Sequence, residues 1–144
     1  MRPFIAASLL FLTGCFPVSA PFHIYPIREA GSGSPIPCRF RIHFGWQNAT
    51  ISAFLPDGET YASVISTTRS DPPNRDLAPL WDKVFGAGYF NAKVLGSPQH
   101  FRTTLKNEQG RELRMELHRM PGDPNNGFEG VAIDGDNLIY KAGY

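Results

Sequence analysis

Cysteine is scarce in this 144-residue sequence, which contains only Cys15 and Cys38. Two cysteines allow at most one disulfide, so the folded part must be held together mainly by an apolar core. With 42% hydrophobic residues, a chain of this length can form one domain with such a core. Cys38 lies in an alternating strand pattern without a matching histidine, and we expect a buried structural thiol there.

An excess of charge of either sign is also missing. The chain carries 14 Lys and Arg against 13 Asp and Glu, a formal net charge of +1. A nucleic-acid-binding protein needs a clear basic excess to neutralise phosphates. The composition therefore argues against nucleic acid as a partner.

Long hydrophobic runs are absent, and one short run stands near the beginning. Residues 4–12 are mostly apolar and follow Arg2, which is the layout of an export signal. A helix that crosses a bilayer needs about 20 apolar residues. The sequence therefore predicts export without a permanent transmembrane helix.

Four residues that begin at the end of this run carry a more specific signal. Leu12-Thr13-Gly14-Cys15 resembles the lipobox of bacterial lipoproteins. The resemblance implies that residues 1–14 are a signal peptide removed before Cys15. It also implies that the Cys15 thiol carries a diacylglycerol, and that its amine carries a third acyl chain in many bacteria. Each buried CH₂ contributes about 0.8 kcal/mol, so two or three chains form a firm membrane anchor.

A second cleavage site competes with the lipobox. Val18-Ser19-Ala20 has the small residues of an ordinary signal peptidase site and would release a soluble chain beginning at Pro21. Proline lacks the backbone N–H and restricts the preceding residue, which disfavours this site. If the signal is instead cut ahead of Cys15 without lipidation, Cys15 and Cys38 could form a disulfide.

The residue after the cysteine bears on location. Phe16, not an aspartate, follows Cys15, and the resemblance to lipoproteins then implies sorting to the outer membrane. An aromatic residue is unusual at this position, so retention in the inner membrane is the alternative. We expect the bacterial cell envelope, with the outer membrane preferred.

The sequence divides near residue 37. Residues 15–37 contain five prolines and the run Gly31-Ser32-Gly33-Ser34, a composition typical of tethers. From Cys38 onward the pattern changes to alternating apolar and polar residues. We therefore predict a lipidated tether over 15–37 and a β domain over 38–144.

Most of this domain is expected to be antiparallel strands. Residues 38–44 and 113–118 alternate as half-buried strands do, and a Pro-Asp-Gly turn at 56–58 joins two further strand patterns. A short helix is predicted from Asp76 to Gly86, with Leu77, Leu80, Trp81 and Val84 on one face. Additional strands are predicted over 89–95, 101–106, 128–133 and 138–141. The predicted fold class is mainly β: a small antiparallel meander barrel or sandwich with one short helix.

Two hairpin sequences carry a second resemblance. Residues 53–59 read Ala-Phe-Leu-Pro-Asp-Gly-Glu, and residues 130–134 read Gly-Val-Ala-Ile-Asp, followed by Ile139-Tyr140-Lys141. Together with the lipobox they resemble small uncharacterised bacterial envelope lipoproteins. The resemblance implies a β domain in the envelope and no activity. The sequence lacks the cysteine pair found in the later strands of some members, so no disulfide is expected there.

The sequence contains no recognisable catalytic or metal-binding motif. His23, His43, His100 and His118 stand on separate segments without ligand spacing, so we expect neither metal nor cofactor. No Gly-x-Ser-x-Gly or Ser-x-x-Lys motif is present, and no catalytic residue is predicted. Outward strand positions, among them His118 and Glu116, are expected to be solvated.

One surface row stands out as a candidate for partner binding. Arg39, Arg41 and His43 alternate along the first predicted strand of the domain and are expected to face outward. They would meet lipid headgroups, peptidoglycan carboxylates or an acidic partner, or else form an ordinary solvated face.

Three functions remain open at this point. The first is a membrane-anchored envelope lipoprotein with a non-enzymatic binding or structural role and an envelope protein as its partner. The second is an inhibitor of a lysozyme-like hydrolase, acting through the loop at residues 120–127 with Asp123 facing the enzyme. The third is a small periplasmic enzyme.

Overall fold

The computed structural model describes residues 18–28, 31–32, 36–42, 47–55, 58–120, 122 and 127–143, and it describes side chains at 23–27, 47–55, 58–120, 122 and 127–143. Within them the chain forms nine strands and one α-helix, α1 (Ala78–Phe85). The strands are β1 (Val18–Arg28), β2 (Gly31–Ser32), β3 (Ile36–Ile42), β4 (Asn48–Phe54), β5 (Thr60–Ser66), β6 (His100–Lys106), β7 (Glu112–Arg119), β8 (Phe128–Asp134) and β9 (Ile139–Gly143).

The sheet is an antiparallel meander whose two ends share a strand. From β3 to β9 each strand pairs with the next in sequence, and the two-residue β2 pairs with the end of β1. β1 pairs with β3 through Val18–Ile24 and with β9 through His23–Ile27. The predicted mainly β fold with one short helix is therefore confirmed.

The main core lies on the inner face of this curled sheet. Alternate residues of β7, Leu113, Met115 and Leu117, are at most 2% exposed, as their alternation predicts. Ile51 from β4 and Leu105 from β6 join them in one apolar cluster. Burial of such side chains contributes about 1.5–3 kcal/mol each relative to exposure, which makes this cluster the main source of stability.

A segment between β5 and β6 covers part of the outer face. We call residues 74–97 the helical segment. It begins with a 3₁₀ turn, Arg75–Leu77, capped by the side chain of Asn74, which accepts a hydrogen bond from the Asp76 amide. α1 follows and ends at Gly86, whose φ of 110° is strained for other residues. The predicted helix is thus present, but the predicted cap Asp76 lies within the preceding 3₁₀ turn, and α1 itself has Leu77 at its N-cap without a side-chain hydrogen bond.

The predicted strand over 89–95 is wrong. Residues Phe90–Val94 form a π-helical turn. Phe90 and Val94 are buried, whereas the three residues between them are exposed. A spacing of four suits one face of a helix and not a strand, which buries every second residue. The aromatic and β-branched residues of this stretch pack the turn onto the sheet.

The helical segment and the sheet's outer face form a second apolar cluster. Trp81 is fully buried in it, together with Phe90, Val94 and Val131 of β8. The Trp81 ring stacks on Phe85 at a centroid distance of 5.5 Å. The apolar face predicted for the helix, including Leu77, Leu80 and Val84, packs around Trp81.

The region predicted to be a tether, residues 15–37, contains strands. Residues 18–28, 31–32 and 36–37 lie in strands, and Ile24 of β1 is fully buried in the main core. Pro21 and Pro26 lie within β1 opposite Arg39 and Tyr140. The φ of proline is compatible with an extended strand wherever its missing N–H is not needed. Proline content alone therefore did not distinguish a tether from a strand.

Among the described residues, no helix combines the length and the apolar character needed to cross a membrane.

Candidate functional site

The predicted site residues are mostly beyond what the structure describes. Cys15 and His43 lie outside the described residues. Arg39 and Arg41 lie in β3, where their backbones pair with Ser52 and Thr50 of β4, but their side chains are not described. Asp123 and most of the loop at 120–127 are likewise outside the described residues. The anchor, the partner surface and the inhibitory loop therefore stay predictions.

The structure instead brings together polar side chains that the sequence did not single out. They lie between the outer face of β6, β7 and β8 and the helical segment that covers it. We call them the buried polar cluster, which comprises Tyr89, His100, Glu116, His118 and Glu129. Glu116 is 1% exposed and His118 is fully buried, so the expectation that both are solvated is wrong. They do occupy the outer face, but the helical segment covers it.

Strand register sets the positions within this cluster. His118 of β7 lies opposite His100 of β6 and Glu129 of β8. Tyr89 enters from the helical segment, and its hydroxyl donates a hydrogen bond to Glu129. The same phenol oxygen lies 3.3 Å from Nε2 of His118. Because the Tyr89 proton is directed to Glu129, the phenol oxygen accepts from an Nε2–H of neutral His118.

Two more hydrogen bonds attach the ends of the helical segment to the sheet. At its start, the Asn74 amide donates to Oε1 of Glu116 over 3.1 Å. Near its end, Nε2 of His100 lies 2.6 Å from the Val94 carbonyl, which requires the proton on that nitrogen. The polar side chains thus connect the segment to β6, β7 and β8 at its beginning, middle and end.

Burial favours the uncharged form of three of these groups. It lowers the pKa of His118 to about 4, with the neighbouring His100 acting in the same direction. Burial also raises the pKa of Glu116, partly opposed by the Asn74 hydrogen bond and by Arg102. The pKa of Tyr89 is raised by burial and by its bond to Glu129. These are the directions expected when a low-dielectric cover excludes water from ionisable groups.

Some buried polar atoms of this region have no hydrogen-bond partner among the described residues. They are Nε1 of Trp81, Oε2 of Glu116 and Nδ1 of His118. The rings of Trp81 and His118 meet edge to face, with centroids 5.2 Å apart. The described residues contain no group of three or more His, Cys, Asp or Glu side chains placed to hold a metal ion. The cluster's visible role is to position the helical segment.

An open groove lies beside this covered region, along the edge of the helical segment. It has a volume of about 280 Å³. Arg102 of β6 and Arg114 of β7, both exposed, stand at the groove. Its remaining lining is Asn74, Leu77, Leu80, Thr103, Thr104, Met115, Val131 and Ile133. The groove therefore combines apolar surface with two accessible cations.

Comparison with known proteins gave no match among protein-family models, curated proteins or solved structures.

Proposed function

We propose that this protein is a lipid-anchored lipoprotein of the bacterial envelope, with a non-enzymatic binding or structural role toward an envelope protein. One structural observation carries the non-enzymatic part. The side chains best suited to acid–base chemistry, His118 and Glu116, are buried under the helical segment. Both form hydrogen bonds with that segment. A general acid or base must come within hydrogen-bonding distance of a substrate, which their burial prevents.

The membrane-anchored part of the proposal rests on the lipobox at residues 12–15. The position of β1 limits the distance between the domain and the proposed lipid, because β1 begins at Val18, three positions after Cys15. Three residues of extended chain span at most about 10 Å. A lipid on Cys15 would therefore hold the start of β1 close to the membrane surface, and partners would be met there.

The proposed location is the outer membrane, because Phe16 and not aspartate follows Cys15. Membranes separated on a density gradient test this. We expect the protein to sediment with outer-membrane markers, and a Phe16→Asp variant provides the comparison. A signal confined to inner-membrane fractions for the wild type would contradict the outer-membrane assignment.

Crosslinking in intact cells followed by affinity purification tests the partner-binding role. We expect the wild-type protein to recover at least one envelope protein reproducibly. The Cys15→Ser variant, expressed at the same level, should recover less of it because it is not held at the membrane. Recovery no greater than that of an unrelated lipoprotein of similar abundance would contradict the binding role.

A further inference from the structure

The groove beside the helical segment has a composition that follows from strand register. Outward residues of the sheet form rows across β6, β7 and β8, and one row contains Arg102, Glu116 and Val131. The next row contains Thr104, Arg114 and Ile133. The helical segment covers Glu116 but leaves the two arginines exposed. Leu77 and Leu80 form the facing wall.

Neither arginine is neutralised by an ion pair within the described part of the chain, where the salt bridges involve other residues. The guanidinium of Arg102 donates to the carbonyl of Pro72 over 2.9 Å, which fixes its position without cancelling its charge. Glu116 lies between the two arginines in the register, but its Oε1 already accepts from Asn74 and its side chain is covered. The accessible charge of the groove is therefore positive.

The arginines are diagonal neighbours on adjacent strands. Such positions are about 7–8 Å apart at Cβ, so two long guanidinium side chains can converge on one anion between them. Guanidinium groups bind carboxylates through paired N–H···O hydrogen bonds. The carboxylate of Asp71, which accepts from the Arg102 amide over 2.9 Å, adds negative charge beside the arginines, and this disfavours a doubly charged phosphate more than a singly charged carboxylate.

We propose that this groove binds a small carboxylate ligand that carries a short apolar chain, with Arg102 and Arg114 holding the carboxylate. Leu77, Leu80 and Ile133, which are partly exposed, cover the apolar chain. The inference goes beyond the proposed function and does not depend on the lipid at Cys15.

The volume limits the size of the ligand. About 280 Å³ is near the lower end of known small-molecule sites, which span about 300–1,000 Å³. Octanoate, with a carboxylate and a seven-carbon chain, is a probe of suitable size.

Titration of octanoate into the full chain, made without export so that it carries no lipid, tests the proposal by amide NMR. We expect saturable shifts confined to residues around the groove, such as 102–104, 114–115 and 131–133. Octan-1-ol and octylammonium, which lack the anionic head, should bind at least about tenfold more weakly. Butyrate should also bind more weakly, because it leaves most of the apolar wall exposed.

Variants locate the interaction. Arg114→Gln should weaken octanoate binding by about tenfold, the effect of losing a charge-assisted hydrogen bond. Arg111→Gln removes an exposed arginine outside the groove and should leave binding unchanged. Equal binding of octanol, tighter binding of octyl phosphate, shifts away from the groove, or unchanged binding by a folded Arg114→Gln variant would each overturn the proposal.

Discussion

At the scale of single residues, the most consequential feature is an imidazole kept neutral under an aromatic cover. His118 is fully buried, its edge meets the Trp81 ring, and its Nδ1 has no hydrogen-bond partner in the described part of the chain. Charging this ring would place a cation in a low-dielectric region beside His100. The cluster therefore ties the stability of the fold to pH.

We predict that stability falls as pH decreases from about 6.5 to about 4. In this window an unfolded chain binds a proton at His118, whereas the folded chain, with the pKa of His118 lowered to about 4, does not. The loss is about 3 kcal/mol at its full extent. Glu116 acts in the opposite direction, because its raised pKa lets the folded state take up a proton first as pH decreases.

Urea denaturation at a series of pH values measures this dependence, and a variant isolates the contribution of His118. His118→Gln should flatten the slope of unfolding free energy between pH 6.5 and 4. His23→Gln, which changes a partly exposed histidine in β1, should keep the wild-type slope. The same slope in His118→Gln and wild type would show that another group is responsible.

The sequence predicted the sheet face of these residues but not their burial. Alternation in β7 correctly separates Leu113, Met115 and Leu117 from Glu116 and His118. It contains no information on what covers the outer face, which depends on a segment far away in sequence. The concentration of aromatic residues at Trp81, Phe85, Tyr89 and Phe90 indicates an apolar surface that must pack against another element. That element is the outer face of the sheet.

At the scale of elements, strands with period-two patterns and an identifiable turn were predictable, and the less regular elements were not. β4, β6, β7 and β8 agree with their predicted patterns, and α1 agrees with its apolar face and its terminating Gly86. The π-helical turn at Phe90–Val94 was missed because a short aromatic run does not distinguish a helical turn from a strand. β1 was missed because its prolines suggested a tether.

Close packing between strands gives a prediction at this scale. Gly130 of β8 lies between Leu117 of β7 and Ala142 of β9. A Cβ at this position would overlap the Leu117 side chain and lie 2.7 Å from the Glu116 carbonyl oxygen. The Glu116 backbone cannot easily move away from the added methyl group. We therefore expect Gly130→Ala to destabilise the fold by about 3 kcal/mol.

The matched control is Gly96→Ala, where an added Cβ has no neighbouring atom within 4 Å. Its effect should stay within about 0.5 kcal/mol. The two variants are compared by urea denaturation under the same conditions. Equal stability of both variants would mean that β7, β8 and β9 are not packed as closely as the structure places them.

At the scale of the whole molecule, a curled sheet is combined with a proposed membrane anchor. β1 connects the two ends of the sheet and begins three residues after the predicted lipid-attachment cysteine. The fold class was predictable because seven or more short antiparallel patterns admit few architectures. The activity was not predictable, because no residue pattern in the sequence specifies a ligand and the groove arises from elements distant in the chain.

The proposed lipid on Cys15 is tested most directly by metabolic labelling with palmitate. The wild type, Cys15→Ser and Cys38→Ser are labelled and immunoprecipitated at matched expression. We predict label on the wild type and on Cys38→Ser, and none on Cys15→Ser, because only Cys15 lies in the lipobox. Label on Cys15→Ser equal to that on the wild type, or no label on any of the three, would contradict the lipid anchor.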